Sequence, residues 1–285
     1  MVVNNSSNFV INIKENDRIT QTTRHPFHMV KASPWPFVTS LAALVTTVGA
    51  SLYMHFFFIG AKLFLFGLLL LLACMICWWK DVITEATYYG DHTKAVRRGL
   101  RYGMLLFIVS EIMFFLAFFW AFFHSSLAPA MEIGFVWPPK GIHPFCPAGV
   151  PFLNTLILLT SGSFITWSHY SLDGNIEEAQ LALALTIGLG LIFTLLQFYE
   201  YKHAPFQISD SIYGSLFFML TGFHGFHVLI GTLFLCVCLY RMVQGHFRSH
   251  HHVGFEAAIW YWHFVDVVWI FLFISIYWWG GKPHA

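Results

Sequence analysis

Seven stretches of about 20 or more apolar residues dominate this chain, each as long as a helix needs to be to cross the roughly 30 Å hydrocarbon layer of a bilayer. They run near 36–55, 62–87, 98–124, 151–171, 179–200, 212–240 and 254–279. Lipid offers no water to backbone polar groups, so a spanning segment must satisfy its own hydrogen bonds, and these segments read as helices rather than strands. Composition agrees. Only 10% of residues are charged and 57% are hydrophobic, against about 25% charged in an ordinary soluble domain. The expected fold class is an all-α integral membrane protein, with the third and sixth helices long enough to tilt or project from the bilayer.

Lysine and arginine set the expected orientation. On the side of the N-terminus lie Lys14, Arg18, Arg24, Lys31, Lys80, Lys94, Arg97, Arg98, Arg101, Arg241 and Arg248; opposite lie Lys62, Lys140, Lys202 and Lys282. That bias places the N-terminus on the cytoplasmic or matrix side. The acidic loop LDGNIEEAQ falls on the same side, but acids count little in this rule. The net charge of +1, with no basic patch interleaved with exposed aromatics, argues against a nucleic-acid partner. Five cysteines do not make a disulfide framework. Cys74 and Cys77 form a CxxC inside LLLLLACMICWW and read as small apolar fillers, because a redox dithiol wants an exposed, electropositive site. Residues 1–25, MVVNNSSNFVINIKENDRITQTTRH, have neither the apolar core of a signal peptide nor the Arg-rich, acid-poor form of a transit peptide. The proline- and glycine-rich stretch from His124 to Phe152 reads as a structured cap, and the tract His250–His252 as an exposed interfacial cluster.

Ionisable groups inside the apolar runs are the candidates for function, since each costs at least about 2.5–3.5 kcal/mol at the bilayer centre. The last run, FEAAIWYWHFVDVVWIFLFISIYWWGG, holds Glu256, His263 and Asp266. At 100° per residue the second and third sit about −20° and −80° from the first, on one side of a helix. The sixth run carries His224 and His227 beside a line of small residues, Gly214, Thr221, Gly225 and Thr232, that invites close approach of another helix. The third run carries Glu111 with no base nearby in sequence; protonation, a hydroxyl or a lipid headgroup would each relieve its cost. His224, His227, His263, Asp266 and Glu256 include metal-ligand types. No HExxH, CxxCH or paired carboxylate accompanies them, so helix-to-helix hydrogen bonding is preferred and no metal is expected. A transporter using these groups as ion sites is the alternative, though it predicts internal repeats and broken helices that the sequence lacks.

Several strings together resemble one family. HMVKASPWP, WWKDVITEATYYGDHT, GLRYGMLLFIVSEIMFF, FWAFFHSSLAPA, WPPKGIHP, APFQISDSIYG, TGFHGFHVLIGTLFL and HHVGFEAAIWYWHFVDVVWIFLFISIYWWGG are similar to subunit three of cytochrome c oxidase, the haem–copper respiratory oxidase, in its mitochondrial form. The likeness spans His28 to Gly281, about nine-tenths of the chain. It leaves residues 1–23 as a polar extension with no assigned role and 24–285 as a single seven-helix membrane domain.

The resemblance implies helices in two groups, the first two against the remaining five, with a lipid-filled cleft and the N-terminus on the matrix side of the mitochondrial inner membrane. It implies no redox centre in this chain: haem a and copper belong to partner subunits 1 and 2. The complex oxidises cytochrome c, reduces oxygen to water and pumps protons; this subunit packs on subunit 1 beside accessory subunits, binds phospholipids, stabilises the catalytic core and supports proton uptake. Trp79, Glu85, His92 and Arg101 match lipid positions of the cleft, Arg241 and His246 match a second headgroup site, and Glu111 matches the family's buried, carbodiimide-reactive carboxyl. Glu256, His263, Asp266, His224 and His227 are then expected to form a polar seam between packed helices. Lys80 stands where mitochondrial members usually carry arginine; lysine keeps the charge but loses the planar fork that grips phosphate.

Overall fold

The computed structural model describes residues 25–247 and 251–282. The first 24 residues, with the N-terminal extension, and Arg248 and His250 of the histidine-rich loop lie outside the described residues. The protein is all-helical, with seven helices long and apolar enough to cross a membrane among the described residues. It divides into two compact units, one up to Val96 and one from Arg97 onward.

The first unit is a helical hairpin of α1 (Trp35–Met54) and α2 (Gly60–Thr84). A short turn, with Phe56 at φ 62°, makes the two helices antiparallel neighbours. Small residues seven apart set how closely they pack. Ala42 and Gly49 are the buried positions of α1, and Gly60, Gly67 and Cys74 those of α2. A Cβ on Gly49 would lie 2.3 Å from the backbone nitrogen of Phe64, and one on Gly60 2.3 Å from that of Tyr53. One residue in seven recurs on nearly one line because seven residues make almost two turns. Cys74 thus belongs to a packing line, and all five cysteines are free thiols. Beyond Thr84 the chain continues as a π-helical turn, Glu85–Tyr89, closed by Gly90 in the left-handed region at φ 70°.

The second unit packs α3 (Lys94–Leu127), α4 (Val150–Ser171), α5 (Ile176–Lys202), α6 (Ser211–Val243) and α7 (Val253–Leu272), the last running on as a π-helical segment to Trp279. Helix α7 is central: 67% of its apolar window is buried, against 39% for each of α4, α5 and α6 and 11% for α3. Trp262 is the wedge of this core. It is fully buried, its indole lies 2.7 Å from where a Cβ of Gly190 would stand and 3.0 Å from that of Gly231, and its Nε1 donates to Ser161 Oγ at 3.0 Å. One tryptophan on α7 therefore fixes α4, α5 and α6 at once.

Helix ends explain two features of the loops. The acidic stretch before α5 is a cap: Asn175 accepts from the Glu177 backbone N–H at 3.1 Å, and Glu177 and Glu178 occupy the first turn, where carboxylates favour the positive end of the helix dipole. The proline-rich stretch after α3 holds a short 3-10 turn, Met131–Ile133, and buries Trp137, whose Nε1 donates to the Gly280 carbonyl at 3.1 Å. The small-residue line of α6 is used unevenly. Thr221 is buried and bonded to the Tyr201 hydroxyl at 2.7 Å, whereas a Cβ on Gly225 would meet nothing within 4 Å. The tight approach to α7 occurs instead at Gly231, because Trp262 needs its space there.

Candidate functional site

The ionisable groups of the second unit form several small separate groups rather than one converging cluster. Glu111 of α3 meets His227 of α6, with Oε2 at 2.8 Å from Nε2. The other ring nitrogen of His227, Nδ1, is 2.6 Å from the Phe223 carbonyl, which marks Nδ1 as the protonated donor of that contact. The sequence left Glu111 without a base because its partner stands 116 residues away. His224, one turn earlier on α6, is buried and points its Nε2 at the Val265 carbonyl of α7, 3.2 Å away.

Toward the N-terminal end of α7, Arg101 of α3 grips Glu256 with two parallel bonds, Nε to Oε2 at 2.6 Å and an Nη to Oε1 at 2.8 Å. This fork geometry is the strong form of a charge pair. His252 stands 3.4 Å from the same carboxylate and 3.3 Å from His169 at the end of α4. Farther along α7, Asp266 is buried beside His263 Nδ1 at 3.7 Å, and its Oδ2 fills the space over Gly162 of α4. His263 keeps 43% of its side chain exposed and reaches Thr166 of α4 at 3.4 Å. The three polar residues of α7 therefore serve two neighbours: Glu256 holds α3, while His263 and Asp266 face α4.

Arg241, at the end of α6, is a cation with no carboxylate beside it among the described residues. Its guanidinium lies 4.5 Å over the Phe247 ring, an Nη occupies the space that a Cβ of Gly254 would take, and Nε has no hydrogen-bond partner among the described residues. His246 lies close by, its imidazole held below its usual pKa range by burial and by the Arg241 charge.

The other end of the bundle contains a polar group that the apolar pattern conceals. Glu200 of α5 is 2% exposed and accepts from the Tyr277 hydroxyl at 2.6 Å. Asn154 of α4 and Gln197 of α5, both buried, lie 3.5 Å apart. Glu200 sits among the last residues of its helix, and nothing in the sequence points to a tyrosine 77 residues on.

In the first unit Trp79 is 60% exposed and Lys80 is exposed, while Glu85 and His92 are half-buried. Residues before α1 are tied to this end of α2. Trp35 Nε1 donates to Asp81 at 2.5 Å, Lys31 lies over the Tyr89 ring, and the Thr93 hydroxyl donates to the Pro26 carbonyl. His28 thereby comes to the same place as Glu85 and His92, and these are the described residues that offer three metal-ligating atoms within 4.8 Å of one another. Sequence reading missed His28 because its partners follow it by more than fifty residues.

Comparison with known proteins gives a consistent picture. A family model described as cytochrome c oxidase subunit III matches residues 25–281. Cytochrome c oxidase subunit 3 of Arabidopsis thaliana is 62% identical over 262 residues, covering 92% of this chain and 99% of its own length. The Marchantia polymorpha protein of that name is 61% identical over 260 residues, with 91% and 98% covered. That of the dogfish Scyliorhinus canicula is 59% identical over 258 residues, with 90% and 98% covered.

Proposed function

The chain belongs to the cytochrome c oxidase subunit III family, and from that premise we propose how its helices serve the oxidase. It is a multi-pass, non-catalytic subunit of an oxidoreductase complex. The family gives the transporter alternative no support.

Its work is to hold helices and lipids beside the catalytic subunits. Haem a and copper reside in subunits 1 and 2, against the first of which this chain packs, with accessory subunits around it. The membrane is the mitochondrial inner membrane, with the N-terminus on the matrix side. One observation carries this reading: two acids within the spans, Glu256 and Glu111, are engaged in joining helices of this same chain, Arg101 to Glu256 and Glu111 to His227. Such pairs make a rigid body with broad apolar faces, and α3, with only Phe115, Phe122 and Ser126 buried, presents the broadest.

Phospholipid is the second component. A guanidinium without a carboxylate at a helix end suits a phosphate headgroup, and Arg241 with His246 supports one such site. Trp79, Glu85 and His92 support another headgroup site within the first unit, and Arg101, whose fork engages Glu256, offers a guanidinium within the second.

The test is a reduced-minus-oxidised difference spectrum on the tagged chain drawn from its native membrane in mild detergent. Haem a bands in the eluate, with oxygen uptake driven by reduced cytochrome c, are expected. An intact chain that never brings haem with it, under detergents that keep the other subunits together, overturns the reading.

A further inference from the structure

We propose that His28, Glu85 and His92 form a binding site for a borderline divalent transition-metal ion, zinc being the member of that class the ligand set suits best. Three features support it, none of which depends on the lipid reading.

The first is convergence. One ligand atom from each residue lies within 4.8 Å of those of the other two. In a tetrahedral shell with bonds of about 2.1 Å, ligand atoms are about 3.4 Å apart. The side chains need close by about 1.4 Å at most, a movement within reach of side-chain rotation. Two imidazoles and one carboxylate are the donor set of open zinc sites, which keep a fourth position for water or an anion. Magnesium and calcium prefer all-oxygen shells and are disfavoured here.

The second is construction. The backbone brings the three residues together by a specific local device. Glu85 opens the π-helical turn Glu85–Tyr89, and π-turns are rare and concentrated at functional positions. The Asp91 backbone N–H donates to the Glu85 carbonyl at 3.1 Å, and the Thr93 N–H to the Asp91 carbonyl at 3.0 Å, so the chain folds back and sets His92 beside Glu85. His28 is delivered by the segment clamped through Pro26, Lys31 and Trp35 to Thr93, Tyr89 and Asp81. Contacts on both flanks of His28 fix where its ring lies, with the His28 and His92 ring centroids 6.0 Å apart.

The third is the outer shell. Metal-bound imidazoles are commonly oriented by a carboxylate on the other ring nitrogen. Asp91 Oδ2 stands 3.5 Å from His28 Nε2 and fills that role. With Glu85 bound directly and Asp91 behind His28, two negative charges balance a divalent ion. A lipid phosphate reaching this end of α2 would then meet the open position of the metal.

The test uses the intact oxidase purified without a polyhistidine tag, stripped with a chelator and equilibrated with radioactive zinc chloride, zinc being counted per haem a. The unaltered complex is expected to hold one zinc more than complexes carrying Glu85→Gln or His92→Gln, with the affinity at that site reduced at least about tenfold. Asp91→Asn should weaken it by about 10–100-fold. Equal zinc in all of them overturns the proposal. Should the variants not assemble, the unaltered complex decides: zinc should protect His28 and His92 together from diethyl pyrocarbonate, read by mass spectrometry, while the exposed His25 and His55 stay reactive. Labelling of His28 and His92 unchanged by zinc overturns it. Lipid phosphorus measured on the same samples tells loss of the metal from loss of bound lipid.

Discussion

Glu111 and His227 face each other at 2.8 Å, a carboxyl group of α3 against the imidazole ring of α6. The pair gives a half-buried acid a partner on the neighbouring helix. Removing the acid with Glu111→Ala strands His227 Nε2 and should destabilise the fold by about 1–3 kcal/mol, read as an earlier loss of the subunit from the complex on heating. Glu111→Gln keeps a hydrogen bond and should cost less. A double-mutant cycle with His227→Ala should return a coupling of about 0.5–3 kcal/mol; a coupling near zero shows that the contact does not hold the helices. Normal proton pumping in Glu111→Gln assigns the pair to packing and removes it from any proton relay.

The two-pronged bond of Arg101 to Glu256 makes a distinction between arginine and lysine measurable. Arg101→Lys keeps the charge but only one bond at a time, and Glu256→Gln keeps the shape but not the charge. Both should cost about 1.5–3 kcal/mol, the range for hydrogen bonds to charged groups. With the Arg101 side chain 40% exposed, the lower end is expected. Detergent-driven release of the subunit at two salt concentrations measures it, and high salt should narrow the difference for Glu256→Gln.

Trp262 is the single side chain on which the five-helix unit depends most. Trp262→Ala empties the space between Gly190, Gly231 and Ser161 and should cost about 3–5 kcal/mol. Trp262→Phe fills most of it and loses only the indole bond to Ser161, a difference of about 1 kcal/mol. Assembly yield per haem a orders the three proteins; equal yields contradict a keystone role.

In the first unit the closeness of α1 and α2 rests on glycine. A Cβ at Gly67 would lie 2.6 Å from the Thr46 backbone nitrogen, which cannot move without the helix. Gly67→Ala should therefore force the hairpin apart at a cost of about 1–3 kcal/mol. Cys74, 4% exposed one repeat farther along α2, reports the change: its reaction with a maleimide in mild detergent should speed up in the variant and stay slow in the parent.

Arg241→Gln should remove the charge at the end of α6 and, with it, bound phospholipid, lowering lipid phosphorus per haem a in the purified complex. Arg241→Lys should retain part of it, because the charge remains while the fork is lost. Unchanged phosphorus in Arg241→Gln assigns the guanidinium to its ring contact with Phe247 alone.

Much of this architecture is set by local chemistry and can be read along the chain. Seven apolar runs must become helices wherever there is no water to satisfy a backbone, and the observed helices follow them to within a few residues at most ends. Residues such as Glu111, Glu256 and Asp266 announce themselves because a charge in an apolar run is costly whatever surrounds it. Their partners are another matter. Periodicity gives the direction of a side chain around its own helix, not which helix stands opposite; only packing joins Glu111 to His227, divides the polar side of α7 between α3 and α4, and hides Glu200 against Tyr277. The same holds for His28, Glu85 and His92, whose meeting depends on a π-turn and a clamped segment that no residue spacing foretells. The sequence by itself determined that this chain crosses a membrane seven times and which groups needed partners there; tertiary structure alone decided the pairings, because they join residues whose separation in space is unrelated to their separation along the chain.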